Sequence, residues 1–295
     1  IIVGSVILFA NNAYSCDVCG CSAGGIGMGL LTNYQSNFLR LGYSTTRFRS
    51  NSEHANAVSD KFMKMELSLR YSAGKPGRLK LLATLPMGLN VRQIDDNNGQ
   101  KVDGLSDIQV GVNYVVLNSL EINSNTQLYM EAGGGVVLPS GKFNDRIHDN
   151  NLPENFNIGK GSFSFTMSQN TVLKFVNTGF FFSTNYQISG RTSSGYHFGN
   201  QLNTQLTFYR EILSKSWVFI PNVGLSYESI AFDQYSNSNP VLHSGGNGLF
   251  ATSSLSVRKD TWNCSIAYFV PVVGNYNEGE VKAQARFQCQ ISFLF

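Results

Sequence analysis

Lys282-Ala283-Gln284-Ala285-Arg286-Phe287-Gln288-Cys289-Gln290-Ile291-Ser292-Phe293-Leu294-Phe295 is two sequences interleaved. Ala283, Ala285, Phe287, Cys289, Ile291, Phe293 and Phe295 are small or apolar, whereas Lys282, Gln284, Arg286, Gln288, Gln290 and Ser292 are polar or charged. A period of two marks a β-strand, whose successive side chains point to opposite faces. Residues 63–71 repeat the pattern, with Met63, Met65, Leu67, Leu69 and Tyr71 on one face and Lys64, Glu66, Ser68 and Arg70 on the other.

The same template fits Leu79 to Val91, with the odd positions apolar, and Asp107 to Tyr114, with Ile108, Val110, Val112 and Tyr114 apolar. Weaker matches cover 37–48, 126–138, 162–168, 175–189, 199–210, 217–228, 248–257 and 262–271, giving about twelve strands. The segments between them alternate in length. Those near 73–77, 118–124, 169–174, 211–216 and 258–261 are short. Those near 49–59, 95–104, 140–160, 190–197, 229–247 and 273–279 are mostly longer and rich in Asn, Asp, Ser and Gly. Short turns on one side and long loops on the other, with an even strand number, predict an all-β fold: a transmembrane antiparallel up-and-down β-barrel in a bacterial outer membrane. Its apolar faces would meet lipid and its polar faces the lumen.

Composition points the same way. Charged residues are 14% of the chain, against 29 glycines, 21 phenylalanines and 13 tyrosines, whereas a soluble protein carries about 25% charge. After the first ten residues no apolar run reaches the ~18 residues of a membrane helix. The net charge of +3 is spread along the chain and offers no nucleic-acid footprint. A secreted β-sandwich is the competing architecture, but its solvent face should carry more charge than these strands show.

The run Ile1 to Ala10, followed by Asn11, Asn12 and Ala13-Tyr14-Ser15, reads as the tail of a secretory signal cleaved before Cys16. The expected organisation is therefore a signal peptide over 1–15, a Cys/Gly-rich segment over 16–34 that lies in the periplasm or plugs the lumen, and a barrel over 35–295. Cys16, Cys19 and Cys21 form a C-x-x-C-x-C spacing that suits a soft metal such as Zn(II) or Cu(I), although three thiolates fall short of a closed site. A disulfide between two of them competes in an oxidising compartment, as does lipidation of Cys16. Cys264 and Cys289 read as small apolar residues on the lipid face.

By parity, the charges expected to face the lumen are Arg40, Lys64, Glu66, Arg70, Lys80, Arg92, Asp107, Glu131, Glu228, Lys282 and Arg286. In so narrow a barrel they either pair across the lumen and fill it or set the selectivity of a weakly anion-favouring passage. His54, His148, His197 and His243 fall in expected loops and read as surface residues. No His stands beside a candidate Ser in a well-patterned strand, and no nucleophile elbow is present, so no chemical step and no cofactor are expected.

Three patches carry a family resemblance. Gly104-Leu105-Ser106-Asp107 before the strand from Ile108 is similar to a "GxGD" strand entry. Leu138-Pro139-Ser140-Gly141-Lys142-Phe143 is similar to "LPTG" with a trailing aromatic. Tyr268-Phe269-Val270-Pro271, with Asn275 and Asn277, is similar to a penultimate strand ending in Pro. Together they resemble the outer-membrane transporter family of the phenol-degradation meta pathway, with Ser106 in place of the usual Gly; the Cys-rich start is more like Bacteroidetes relatives. The resemblance implies a porin-like barrel for passive transport of a small solute, hydrophobic or aromatic, while the charged lumen would suit a polar one. A final aromatic, Phe295, is similar to the signal read by the barrel assembly machinery. The alternative function is a non-conducting barrel that binds a metal or partner through its Cys-rich segment.

Overall fold

The computed structural model describes residues 36–50, 58–74, 77–94 and 98–295. The segments assigned to the signal and to Cys16, Cys19 and Cys21 lie outside them. Fifteen strands run in the order β1 (Phe38–Ser50), β2 (Val58–Ala73), β3 (Leu79–Ile94), β4 (Asn98–Leu105), β5 (Gln109–Asn123), β6 (Thr126–Val137), β7 (Ser164–Phe175), β8 (Thr178–Ser189), β9 (Gln201–Arg210), β10 (Ile212–Ser214), β11 (Trp217–Ile230), β12 (Gly246–Lys259), β13 (Trp262–Tyr276), β14 (Val281–Ala283) and β15 (Arg286–Leu294). Three spans are interrupted (β4 and β5, β9 and β10, β14 and β15), so the wall is a closed twelve-stranded antiparallel barrel, sealed where β1 pairs with both β15 and β2.

The inside and outside obey the period of two. Along β2, Met65, Leu67, Leu69 and Tyr71 are 42–50% exposed, whereas Ser68 and Arg70 are 3% and 0% exposed. This is a soluble protein turned inside out, as lipid requires. Tight turns at 124–125, 176–177 and 260–261 join strands at the rim where β1 starts and β15 ends. Along that rim the exterior carries an aromatic girdle: Trp262 meets Phe293 at 5.2 Å, Phe293 stacks on Phe295 at 6.3 Å, and Phe180 meets Phe208 at 5.4 Å. Girdles of aromatic rings mark the lipid–water interface.

Several boundaries differ from the pattern reading. The period places a turn at 169–174, but β7 runs through it to Phe175 and turns at Val176, whose φ is 44°. The misleading signal is Asn170, a lumenal side chain rather than a turn former, since polarity inside a barrel wall does not mark a loop. The expected loop over 95–104 contains β4, which extends the hairpin with β3. Pro86 falls where β3 changes partner: β3 pairs with β5 as far as Thr84 and with β4 from Met87, so the missing N–H breaks no ladder. Pro271 sits at a bulge, where the register with β12 shifts between Leu249 and Phe250.

The pattern also places Lys282 inward, and the structure turns it outward. Val281 and Ala283 are the buried pair on β14, because the irregular residues 284–285 between β14 and β15 invert the alternation. Ala283, read as lipid-facing, is thus lumenal.

Candidate functional site: the occupied lumen

The loop 138–163 between β6 and β7 does not stand away from the barrel. Its apolar residues Ile147, Leu152 and Phe156 are 2%, 4% and 0% exposed and pack with Phe48, Phe62, Phe250, Phe269 and Tyr276. Those partners belong to β1, β2, β12 and β13, on the wall opposite β6 and β7, so the loop crosses the lumen at the long-loop end. Burying three such side chains contributes about 2 kcal/mol each. Polar tethers fix the crossing: Asn90 Nδ2 donates to the Phe156 carbonyl at 2.9 Å, Gln100 Nε2 to that of Asn150 at 2.6 Å and Ser106 Oγ to that of Ile158 at 2.6 Å.

Two of the patches that carry the family resemblance build the root of this loop. Asp107 accepts the Gly141 N–H at 2.9 Å and the Lys160 N–H at 2.7 Å, clamping the departing and returning chain with one carboxylate. Gly141 is required by crowding, because a Cβ there would lie 2.7 Å from the Ser106 carbonyl carbon. The sequence reading missed this plug. Its signal is the set Ile147, Leu152, Phe156 and Ile158, apolar residues in a loop otherwise rich in Asn and Asp.

A second layer lies over the first. Loops 190–200 and 231–245 join through bridges from His197 to Arg191 and Gln234, and Tyr196, Phe198 and Val241 pack together against Phe143 of the inserted loop. Asp233, 4% exposed, accepts the Tyr196 hydroxyl at 2.7 Å and the Gly199 N–H at 2.6 Å. Its carboxyl is pushed above the usual range because burial outweighs those hydrogen bonds. Glu154 in the inserted loop is raised likewise by burial, against the opposing hydrogen bond from His148.

Beside the plug and below it, the inward charges group into pairs. Arg92 grips Asp60 through two bonds of 2.8 and 2.6 Å and lies over the Phe156 ring at 5.4 Å. Arg286 grips Glu228 at 2.7 and 2.6 Å, and Tyr276 donates to the same carboxylate. Arg70 meets Glu131, which also accepts from Tyr129, Asn113 and Asn170. Gly133 makes room for this knot, since a Cβ there would lie 2.4 Å from Asn113 Oδ1. Lys80 donates to Ser72 Oγ at 2.6 Å, and Lys64 stands 3.3 Å from Glu66. Arg40, 3% exposed, is 3.6 Å from the same Glu66. Lys282 takes no part.

At the opposite end an apolar ring lines the lumen: Phe38, Val115, Tyr129, Val172, Phe181, Tyr209, Ile220 and Leu294, none more than 8% exposed. Between plug and ring lie two cavities. One, of about 150 Å³, is lined by Asn155, Asn157, Gln187 and Gln201 beneath the inserted loop. The other, of about 70 Å³, is lined by Arg40, Arg70, Ser68 and Asn170. Both touch Thr84, Gln109 and Asn185, so they lie in series along the barrel.

His54 is outside the described residues. His148 is exposed beside Glu154, and His243 lies 3.8 Å from Glu278 and Glu280, far along the chain from His148. Among the described residues no group of three or more His, Cys, Asp or Glu side chains could hold a metal. Cys264 and Cys289 are free thiols on the outer wall.

No protein-family profile matches the sequence, and no curated protein matches it. Solved structures do. The chain superposes on an outer membrane channel from Pseudomonas putida F1 at 12% identity and a TM-score of 0.65, covering 88% of this chain and 96% of the channel. The transport unit of the autotransporter AIDA-I from Escherichia coli matches at 14% identity and a TM-score of 0.50, covering 92% and 95% of the two chains. The β domain of the Bordetella autotransporter BrkA matches at 12% identity and a TM-score of 0.50, covering 88% and 100%. At these identities it is the architecture that is shared, and the chain has the fold of the outer-membrane β-barrels.

Proposed function

We propose that this chain is an outer-membrane channel for passive movement of a small solute, closed at rest by the loop 138–163. The observation that carries it is the crossing of that loop to the far wall, held by reversible hydrogen bonds and apolar packing over two cavities in series. A barrel built only as a surface scaffold could fill its lumen with wall side chains alone. The aromatic clusters at both ends favour a solute with an apolar or aromatic body, which partitions among rings more readily than a hydrated ion does. That agrees with the family resemblance, and the passive role agrees with the likeness to an outer membrane channel from P. putida F1. The lumenal charges between the clusters then set which polar group can pass. Phe295, exposed at the rim, is the residue offered to the barrel assembly machinery.

The apolar ring from Phe38 to Leu294 favours a second reading, a non-conducting barrel that acts through Cys16, Cys19 and Cys21. Solute flux separates the two. Proteoliposomes of the full chain, and of a variant with 144–157 replaced by a short Gly-Ser linker, are assayed for entry of benzenesulfonate, an aromatic anion that lipid excludes, and of glucose. Faster benzenesulfonate entry in the variant supports the channel. Equal impermeability of both, with the barrels folded, supports the second reading.

A further inference from the structure

Arg40 is a lumenal cation whose described partners do not match its charge. Glu66 stands against both Lys64, at 3.3 Å, and Arg40, at 3.6 Å, so two cations share one carboxylate. The other carboxylate at this level, Glu131, is occupied by the bidentate grip of Arg70. Arg40 Nη2 reaches Ser68 Oγ at 3.4 Å, but Nε and Nη1 are buried and meet no acceptor among the described residues. A guanidinium presents five donors in a planar fork and stays charged at every accessible pH, so it cannot relieve this by losing a proton. An ionised group withdrawn from water without an opposite charge is strongly disfavoured.

The space beside it suits a counter-ion. Arg40 lines the cavity of about 70 Å³, whose wall also offers Ser68, Thr84, Ser168 and Asn170 as hydroxyl and amide groups. We infer that this cavity is a binding site for a single small anion, of chloride or carboxylate size, held by the unpartnered Nε and Nη1 donors of Arg40 and by neighbouring hydroxyl donors. The cavity is too small for more than the anionic group, so an organic solute would leave its body in the space above, past Thr84, Gln109 and Asn185. The inference deepens the channel reading and rests on it for the anion's role, but the site is detectable without conduction.

The test is chloride NMR line broadening by the full chain folded in a non-ionic detergent, with folding checked by the gel-mobility difference between unheated and heated samples. Saturable broadening is expected from the native sequence, displaced by formate. Arg40→Gln, which keeps a side chain that can reach Ser68, is expected to bind about tenfold more weakly or worse. Lys282→Gln, on the outer surface, should bind like the native chain. Displacement by benzoate at least as effective as by formate assigns the site to the carboxylate head of an organic solute, whereas displacement by formate alone assigns it to a free small anion. Absence of saturable broadening from the folded native chain, or equal broadening by Arg40→Gln, would overturn the site. Anion binding by a barrel that passes no solute would instead overturn the channel reading and leave the site standing.

Discussion

Arg70 on β2 and Glu131 on β6 form a two-pronged ion pair of 3.0 and 2.6 Å across the lumen, with both side chains fully buried. The two strands are not neighbours in the wall, since β3 and β5 lie between them, so the pair ties together non-adjacent strands through the lumen.

Arg70→Met therefore strands the Glu131 carboxylate among Tyr129, Asn113 and Asn170 without its counter-charge. A loss of about 3–5 kcal/mol is expected in guanidinium unfolding of the bilayer-folded barrel. Pairing it with Glu131→Gln should recover a large part, because the buried charge goes too. A double variant no more stable than the single would show that the pair is not coupled.

The clamp at the loop root gives a different signature. Asp107→Ala removes two charge-assisted hydrogen bonds, to Gly141 and Lys160, at about 1.5–3 kcal/mol each, without touching the lipid face. Protease cleavage within 138–163 is expected to accelerate at least tenfold while the rest of the barrel stays resistant. Unchanged cleavage would mean that the plug holds without its root.

Acid should favour the closed mouth. Asp233 and Glu154 both have carboxyls raised by burial, so the folded loops bind a proton more tightly than the opened ones. Their stabilisation is full below the ordinary carboxylate range and is lost as pH climbs through the raised values. Protease protection of 190–200 and 231–245 should thus increase on acidification, and Asp233→Asn should flatten that dependence. Protection that falls on acidification would reverse the sign assigned here.

On the exterior, Leu67→Arg in the middle of β2 puts a cation against hydrocarbon, at a cost of about 2–4 kcal/mol in bilayer refolding. Lys282→Arg, outside the lumen despite the local alternation, should cost nothing measurable.

The barrel was legible because lipid enforces the period of two over whole strands: residues 63–71 alternate without a break, 79–91 do so apart from the inward Leu82, and their inward sets match the structure. Lys282 was misread because two irregular residues before Arg286 reset the parity, and an irregularity of that size leaves no trace in composition. The short segment expected near 169–174 lies within β7, where Asn170 is a lumenal hydrogen-bond donor to Glu131. The pairing of Arg70 with Glu131 could not be read at all, because parity gives a side chain's face but not its partner across the barrel. The plug was half visible. Its apolar residues stand out in a polar loop, but only the crossing to β1, β12 and β13 shows that they close the lumen.

Single-channel conductance in planar bilayers, comparing the full chain with the variant in which 144–157 is replaced by a Gly-Ser linker, tests the central claim most directly. Brief, rare openings are expected in the native barrel and steady conductance once the crossing loop is gone. Identical silence from both, with the variant shown to be folded, would contradict it.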